Sequence, residues 1–349
     1  MLKKTFVLPV LASAAALILA GCAATPAGAG ASLDASGDLK IIATTTQMAD
    51  FTRSVVGDTA SVTVTQLIQP NQSAHSYDPS AADLTALAQA DVLVINGVGL
   101  EEWLDDAIDA SGFDGVTIDS DEGISISDDA AGDEHADEAT DEHADAATDD
   151  HSDHAGGNPH IWTDVQNAVT MVHTIAQGLG EASADSAANA QSFSANATAY
   201  SGKLSELDDW IRTNVSTVPA DQRLLVSNHD ALGYFTAAYG ITYVGSVIPS
   251  FDDNAEPSAA AIDELVAAIT ATGVKAVFSE ASVNPKAAKT IASEANVTVY
   301  SGDDALYVDS LGPAGSAGDT YIRAQLHNVT LILKSWGVTP TAIPANLQE

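Results

Sequence analysis

The sequence predicts an α/β protein of two lobes, each a four-stranded parallel sheet flanked by helices, joined by one long rigid α-helix. Three observations carry this expectation. At 349 residues the chain exceeds what one ordinary core encloses and suits two. Short β-branched runs alternate with longer Ala-rich amphipathic runs, the pattern of parallel sheets with helical crossovers. Between two such series lies a long segment, Ser183–Thr213, with no strand signal.

In the first series the strands are Leu39–Thr44, Val62–Leu67, Val92–Asn96 and Val116–Asp119. Helices fall at Gln47–Val56, Ala81–Ala90 and Glu101–Ala110, the second opened by Asp78-Pro79-Ser80 with Ser80 as N-cap. A further helical stretch, Val165–Leu179, follows. The segment after it places Phe193, Ala197, Tyr200, Leu204, Leu207 and Trp210 or Ile211 at helical spacing. A helix of about 30 residues spans on the order of 45 Å at ~1.5 Å per residue, enough to tie two lobes together. Two shorter helices with a break near Gly202 are the alternative. The second series has strands at Arg223–Ser227, Thr242–Val247, Ala276–Ser279 and Val297–Tyr300, with helices at Ala231–Tyr239, Ser258–Thr272, Pro285–Glu294 and Thr320–Trp336. The division that follows is a leader over 1–21, a tether over 22–38 and an N-terminal lobe over 39–182, which carries an acidic His-rich loop at 128–157. The connecting helix covers 183–215 and the C-terminal lobe 216–349.

Composition narrows the function. The apolar fraction of 46% is ample for folded cores, and the net charge of −36 arises from 12 Lys+Arg against 48 Asp+Glu. With no basic stripe, nucleic acid is excluded as a partner, whereas an acidic surface gathers cations. At the N-terminus, Lys3 and Lys4 precede the apolar run Phe6–Ala20, too short and wrongly flanked for a stable span. It ends Leu19-Ala20-Gly21-Cys22, which resembles the bacterial lipobox. Cys22 would then be diacylated and become the first mature residue, holding an exported protein at the cell membrane. An ordinary cleaved signal is the alternative. Cys22 is the sole cysteine, so an intrachain disulfide and a multi-thiolate metal site are both excluded. The Ala-, Gly- and Ser-rich run Ala23–Gly37 reads as a flexible tether.

Nine histidines are present. Two near-identical octads and a degenerate third space His135, His143 and His151 evenly among carboxylates, with His154 close behind. Such a run has almost no apolar residue to offset the entropy of ordering it, and its composition suits weak auxiliary metal capture. A solvated insert is the bland reading. His173 and His327 fall inside helical patterns, where a hydrogen-bonded structural role is expected. The remaining three, His75, His160 and His229, lie in loops or at strand ends, and Asp309 follows the last strand. Ligands of open α/β sheets bind beyond the carboxyl ends of the strands. If the lobes face each other, three imidazoles and one carboxylate converge in the cleft, a tetrahedral donor set suited to zinc.

Several stretches resemble the metal-specific solute-binding proteins of bacterial ABC importers, the zinc- and manganese-binding family of the TroA-like superfamily. They are His75-Ser76-Tyr77-Asp78-Pro79, Asn96-Gly97-Val98-Gly99-Leu100-Glu101-Glu102-Trp103-Leu104 and Asn158-Pro159-His160-Ile161-Trp162. Further along come Asn228-His229-Asp230-Ala231-Leu232-Gly233-Tyr234-Phe235, Ala238-Tyr239-Gly240, Asp309-Ser310-Leu311-Gly312 and Gly318-Asp319-Thr320-Tyr321. The resemblance implies ligands at His75, His160, His229 and Asp309, and two lobes joined by a single long helix. It also implies a monomer that hands its ion to a membrane permease with a cytoplasmic ATPase. The acidic tract resembles that of the zinc-binding branch. Two departures are local: Asn158-Pro159 stands where Asp-Pro is usual, and the loop before His75 lacks the usual Gly and Asp-Pro.

Manganese-selective members tend to carry glutamate at the third position, where this chain has His229. Three imidazoles favour Zn2+, with Mn2+ the weaker expectation because manganese prefers oxygen donors. No His-Glu-x-x-His helix, Gly-x-Ser-x-Gly elbow or phosphate-cradling glycine loop is present, so an enzyme is not expected. Glu280, after a strand, is expected to support the cleft rather than to act as a base. A surface adhesin or zinc buffer of the same fold is the other non-enzymatic alternative.

Overall fold

The computed structural model describes residues 38–127, 157–183 and 186–348. Cys22 and the tract histidines His135, His143, His151 and His154 lie outside these residues. In the N-terminal half, β1 (Leu39–Ala43), β2 (Val62–Gln66), β3 (Val92–Ile95) and β4 (Val116–Asp119) form one parallel sheet in the order β2-β1-β3-β4. The central strands are apolar on both faces, as parallel strands covered by helices must be. On one face α1 (Thr46–Val56) and α4 (Val165–Ala182) lie against the strands. On the other, α2 (Ala81–Leu87) and α3 (Leu104–Ser111) enclose a core of Ile42, Leu67, Leu87, Leu93, Leu104 and Ala107.

Local chemistry sets these boundaries. Thr45 caps α1 by accepting the Met48 N–H, and Ser80 and Asp83 form a reciprocal capping box at α2. The α3 helix begins at Leu104, three residues later than the sequence suggests. The reason is Glu101, whose carboxylate accepts the Asn96 N–H at 2.9 Å and the Thr44 hydroxyl at 2.6 Å. That bond holds the chain in a turn through Gly97, Val98 and Gly99, all at positive φ.

The α5 helix runs unbroken from Ala187 to Val215. Its 29 residues span about 44 Å at ~1.5 Å each. No break occurs at Gly202, where an added Cβ would meet nothing within 4 Å. An exposed helical glycine costs only ~1 kcal/mol. Burial of Phe193, Ala197, Leu204, Leu207 and Ile211 outweighs that cost. The helix packs on α1 and α4 in its first part and reaches α6 (Gly233–Tyr239) and α9 (Tyr321–Ser335) beyond.

The C-terminal half departs from one continuous sheet. Its strands β5 (Leu224–His229), β6 (Thr242–Ile248), β7 (Ala276–Phe278) and β8 (Thr298–Tyr300) form two parallel pairs, β5-β6 and β7-β8, with β7 lying beside β5. At the end of β5 the His229 N–H is bonded to the Glu280 carboxylate. Helices α7 (Ala259–Thr272) and α8 (Lys286–Glu294) close the core around Val226, Val247, Leu265, Ile269, Val277 and Ile291. The architecture is α/β throughout, with parallel strands flanked by helices.

Candidate metal centre

Each of the four residues singled out by the sequence sits beyond the carboxyl end of a parallel strand. His75 lies in the loop between β2 and α2, and His160 immediately precedes the 3-10 turn Ile161–Thr163 that leads into α4. His229 is the last residue of β5, and Asp309 follows β8. The fold brings all four together, with one potential ligand atom from each within 4.8 Å of the others. His160 Nε2 lies 3.3 Å from His75 Nε2 and 3.2 Å from His229 Nε2. The Asp309 carboxylate stands 3.1 Å from His229 Nε2, 3.4 Å from His160 Nε2 and 3.6 Å from His75 Nε2.

Two of the rings are oriented from behind. Asn158 Oδ1 accepts both the His160 backbone N–H at 3.0 Å and its Nδ1 hydrogen at 2.9 Å. The shared backbone donor identifies that atom as the amide oxygen. Glu280 Oε1 plays the same part for His229, accepting its backbone N–H at 3.2 Å and its Nδ1 hydrogen at 2.7 Å. With Nδ1 committed outward, Nε2 of each ring faces the centre, the arrangement in which a carboxylate or amide behind a histidine fixes its tautomer for metal binding. Glu280 thus takes the supporting place expected of it.

The electrostatics fit a cation. Burial opposes charge on Asp309, but His229 and His160 outweigh it and hold the carboxyl well below the usual range. Burial likewise opposes charge on His229, yet Asp309 and Glu280 raise it well above the ordinary imidazole value. For His160 burial wins, and the ring stays neutral. Both Asp309 oxygens are buried without a hydrogen-bond partner among the described residues. A buried carboxylate facing inward-pointing imidazole nitrogens is a donor set suited to a cation.

The Asp309 segment is also gripped by the N-terminal half. Gln47 Nε2 and Trp162 Nε1 both donate to the Val308 carbonyl, at 2.8 and 3.1 Å. The Leu311 N–H donates to Thr46 Oγ1 at 2.9 Å, and the Asn71 N–H to Ser310 Oγ at 2.8 Å. Sequence reasoning missed this grip, because nothing in the local pattern of Thr46-Gln47 marks a partner more than 260 positions away. His173 and His327 are structural, bonded to the Ser201 hydroxyl and the Ala305 carbonyl respectively.

Residues 41–335 match the family described as zinc-uptake complex component A, periplasmic. The chain belongs to this family. Members of this zinc-uptake component family are solute-binding proteins of metal transport, so the chain is a metal-binding transport component and not an enzyme. It is 33% identical over 330 residues to the manganese-binding lipoprotein MntA of Halalkalibacterium halodurans, covering 93% of this chain and 95% of that protein. Among solved structures it resembles the periplasmic zinc-binding protein TroA of Treponema pallidum, with a TM-score of 0.71 at 24% identity over 86% of this chain and 99% of that one. The Mn-bound periplasmic metal-binding protein of Candidatus Liberibacter asiaticus gives 0.69 at 23% identity, covering 85% and 99%. These structural likenesses establish the shared two-lobed fold. No helix among the described residues is long and apolar enough to cross a membrane.

Proposed function

We propose that this protein captures Zn2+ at His75, His160, His229 and Asp309 and delivers it to the permease of an ABC importer, itself driven by a cytoplasmic ATPase. The observation that carries the reading is the inward convergence of three imidazole Nε2 atoms on an unsatisfied buried carboxylate. Three nitrogen donors and one oxygen make a four-coordinate set that suits zinc. In this reading the lobes are 39–182 and 216–349, the helical segment 183–215 links them, and the cleft between them holds the ion. The protein works as a monomer outside the cytoplasm, anchored to the bacterial cell membrane by lipid on Cys22. The naming of relatives as lipoproteins of metal transport supports this location.

Manganese is the second reading, favoured by the 33%-identical relative named for that ion and by two free Asp309 oxygens able to add a fifth donor. Affinity alone does not separate the two, because zinc exceeds manganese at most nitrogen–oxygen sites. Growth of a deletion strain does. The zinc reading expects poor growth in chelated medium that added zinc restores and manganese does not. Rescue by manganese alone would exchange the cargo and leave the site in place. The same protein titrated with Zn2+ should bind one equivalent tightly, and weaker equivalents beyond it would fit His135, His143, His151 and His154.

Proton linkage offers an independent check. In the metal-free protein Asp309 and Glu280, against the opposing effect of burial, raise His229 above its ordinary 6.5 and so favour its protonated form. Metal must displace that proton. Binding at pH 7 should release about one proton, and affinity should fall about tenfold per unit as pH drops below the His229 value. The stability of the metal-free fold has the opposite sign for this residue. The raised His229 contributes fully below 6.5 and loses its contribution as pH rises through its folded value. The depressed Asp309 contributes above 3.8 and loses its contribution as pH falls through its own lower folded value. Calorimetry in two buffers of different ionisation enthalpy measures the proton count, and a count of zero at pH 7 would contradict the assignment.

A further inference from the structure

The four groups are not equally enclosed. The side chains of His160, His229 and Asp309 are wholly buried, whereas that of His75 keeps 8% exposure. Solvent therefore reaches the centre from the His75 side. Across that side runs the segment between β6 and α7. Its Phe251 ring lies 6.3 Å from the His160 ring. Its Asp253 is buried although Asp252 and Asn254 on either side are exposed.

Asp253 Oδ1 accepts the Ser73 hydroxyl at 2.7 Å and the Asn254 amide at 2.7 Å. The same Ser73 Oγ accepts the backbone N–H of His75 at 3.2 Å and of Ser76 at 3.4 Å. One hydroxyl thus connects a carboxylate of the C-terminal half to the backbone of the first histidine in the N-terminal half.

We propose that Asp253 is a positioning residue of the metal centre, which through Ser73 straps the His75 loop across the mouth and sets the rate at which a bound divalent ion leaves. The proposal rests on the metal-site reading above. Its physical basis is that the carboxylate is costly where it stands. Burial, and then the charge of Asp309, push its carboxyl above the ordinary range. A neutral acceptor would hold a serine hydroxyl without that cost. In the empty centre His75 and His229 offset only part of the Asp309 repulsion; once a divalent cation is seated, the Asp253 charge faces a more positive centre and is attracted to it. The strap is therefore weakest in the empty protein, where the mouth must admit an ion, and tightest in the loaded one. Opening the His75 loop at the mouth therefore breaks the Ser73–Asp253 bond.

The test is the release of Zn2+ from the loaded full chain into excess chromophoric chelator, followed by stopped flow. Asp253→Ala and Ser73→Ala should each speed release on the order of tenfold, the scale of one charge-assisted hydrogen bond. The double variant should be no faster than either single one, since both break the same link. Asp253→Asn keeps an acceptor oxygen but loses the charge that the seated ion attracts, so its release should fall between that of the parent and that of Asp253→Ala. An unchanged rate in Ser73→Ala, additive effects in the double variant, or Asp253→Asn as fast as Asp253→Ala would each overturn the strap. If the unaltered protein holds no Zn2+, the site reading itself fails. If it holds Zn2+ and the variants leave the rate unchanged, only the strap fails.

Discussion

Replacing His160 by alanine is expected to abolish tight Zn2+ binding while leaving the fold intact. His160 Nε2 lies among the other three, 3.3 Å from His75 Nε2, 3.2 Å from His229 Nε2 and 3.4 Å from an Asp309 oxygen. Structural zinc sites in zinc-finger peptides bind with apparent free energies of about 10–16 kcal/mol, so an even share among four ligands is about 2.5–4 kcal/mol each. Its loss corresponds to ~100- to 1,000-fold in affinity. The imidazole is neutral when empty, so its removal takes no charge out of the metal-free centre. Melting of the metal-free variant should therefore change far less than metal binding does. Chelator competition supplies the affinity, and a variant that binds Zn2+ as tightly as the parent would remove His160 from the site.

The second large effect is expected at Glu280, which touches no ion in this arrangement. Its Oε1 accepts both the backbone N–H and the Nδ1 hydrogen of His229, and its side chain is only 1% exposed. Glu280→Ala leaves those two donors buried without an acceptor and frees the ring to turn. Loss of such a supporting carboxylate typically lowers metal affinity 10- to 100-fold. Glu280→Gln is the more informative variant. It keeps an acceptor oxygen for His229 and so should lose less affinity than alanine. It also removes the smaller of the two charges that raise His229, so fewer protons should be released on binding at pH 7 than in the parent. A glutamine variant that binds as weakly as the alanine one and still releases a full proton would show that charge and orientation do not act through His229.

Much of the molecule was legible beforehand because its signals are local. Period-2 and period-3.6 patterning located the strands and helices, and Ser80 announced the start of α2 through a cap that depends only on neighbouring residues. The candidate ligands were legible through one topological rule, since each follows a parallel strand. The late starts of α3 and α6 were not legible. Glu101 is a good helix former by propensity, and only its bonds to Thr44 and Asn96 keep it in a turn. At α6 the sequence pattern begins at Ala231, but there the Ala231 N–H closes a tight turn onto the His229 carbonyl at 3.0 Å, and the helix starts at Gly233.

The sequence alone determined the fold class, the unbroken apolar stripe of the long helix, and the residue types able to bind a metal. It did so because secondary-structure periodicity and donor chemistry belong to single residues and their near neighbours. Tertiary structure decided what those donors do together. It placed Asn158 and Glu280 behind two rings, so that Nε2 faces inward. It also carried the Asp309 segment onto Gln47 and Trp162, and laid Asp253 against Ser73 across 180 positions of chain. Such contacts depend on where helices and strands come to rest when apolar surface is buried, and long-range hydrogen bonds leave no periodic trace in the residues that make them.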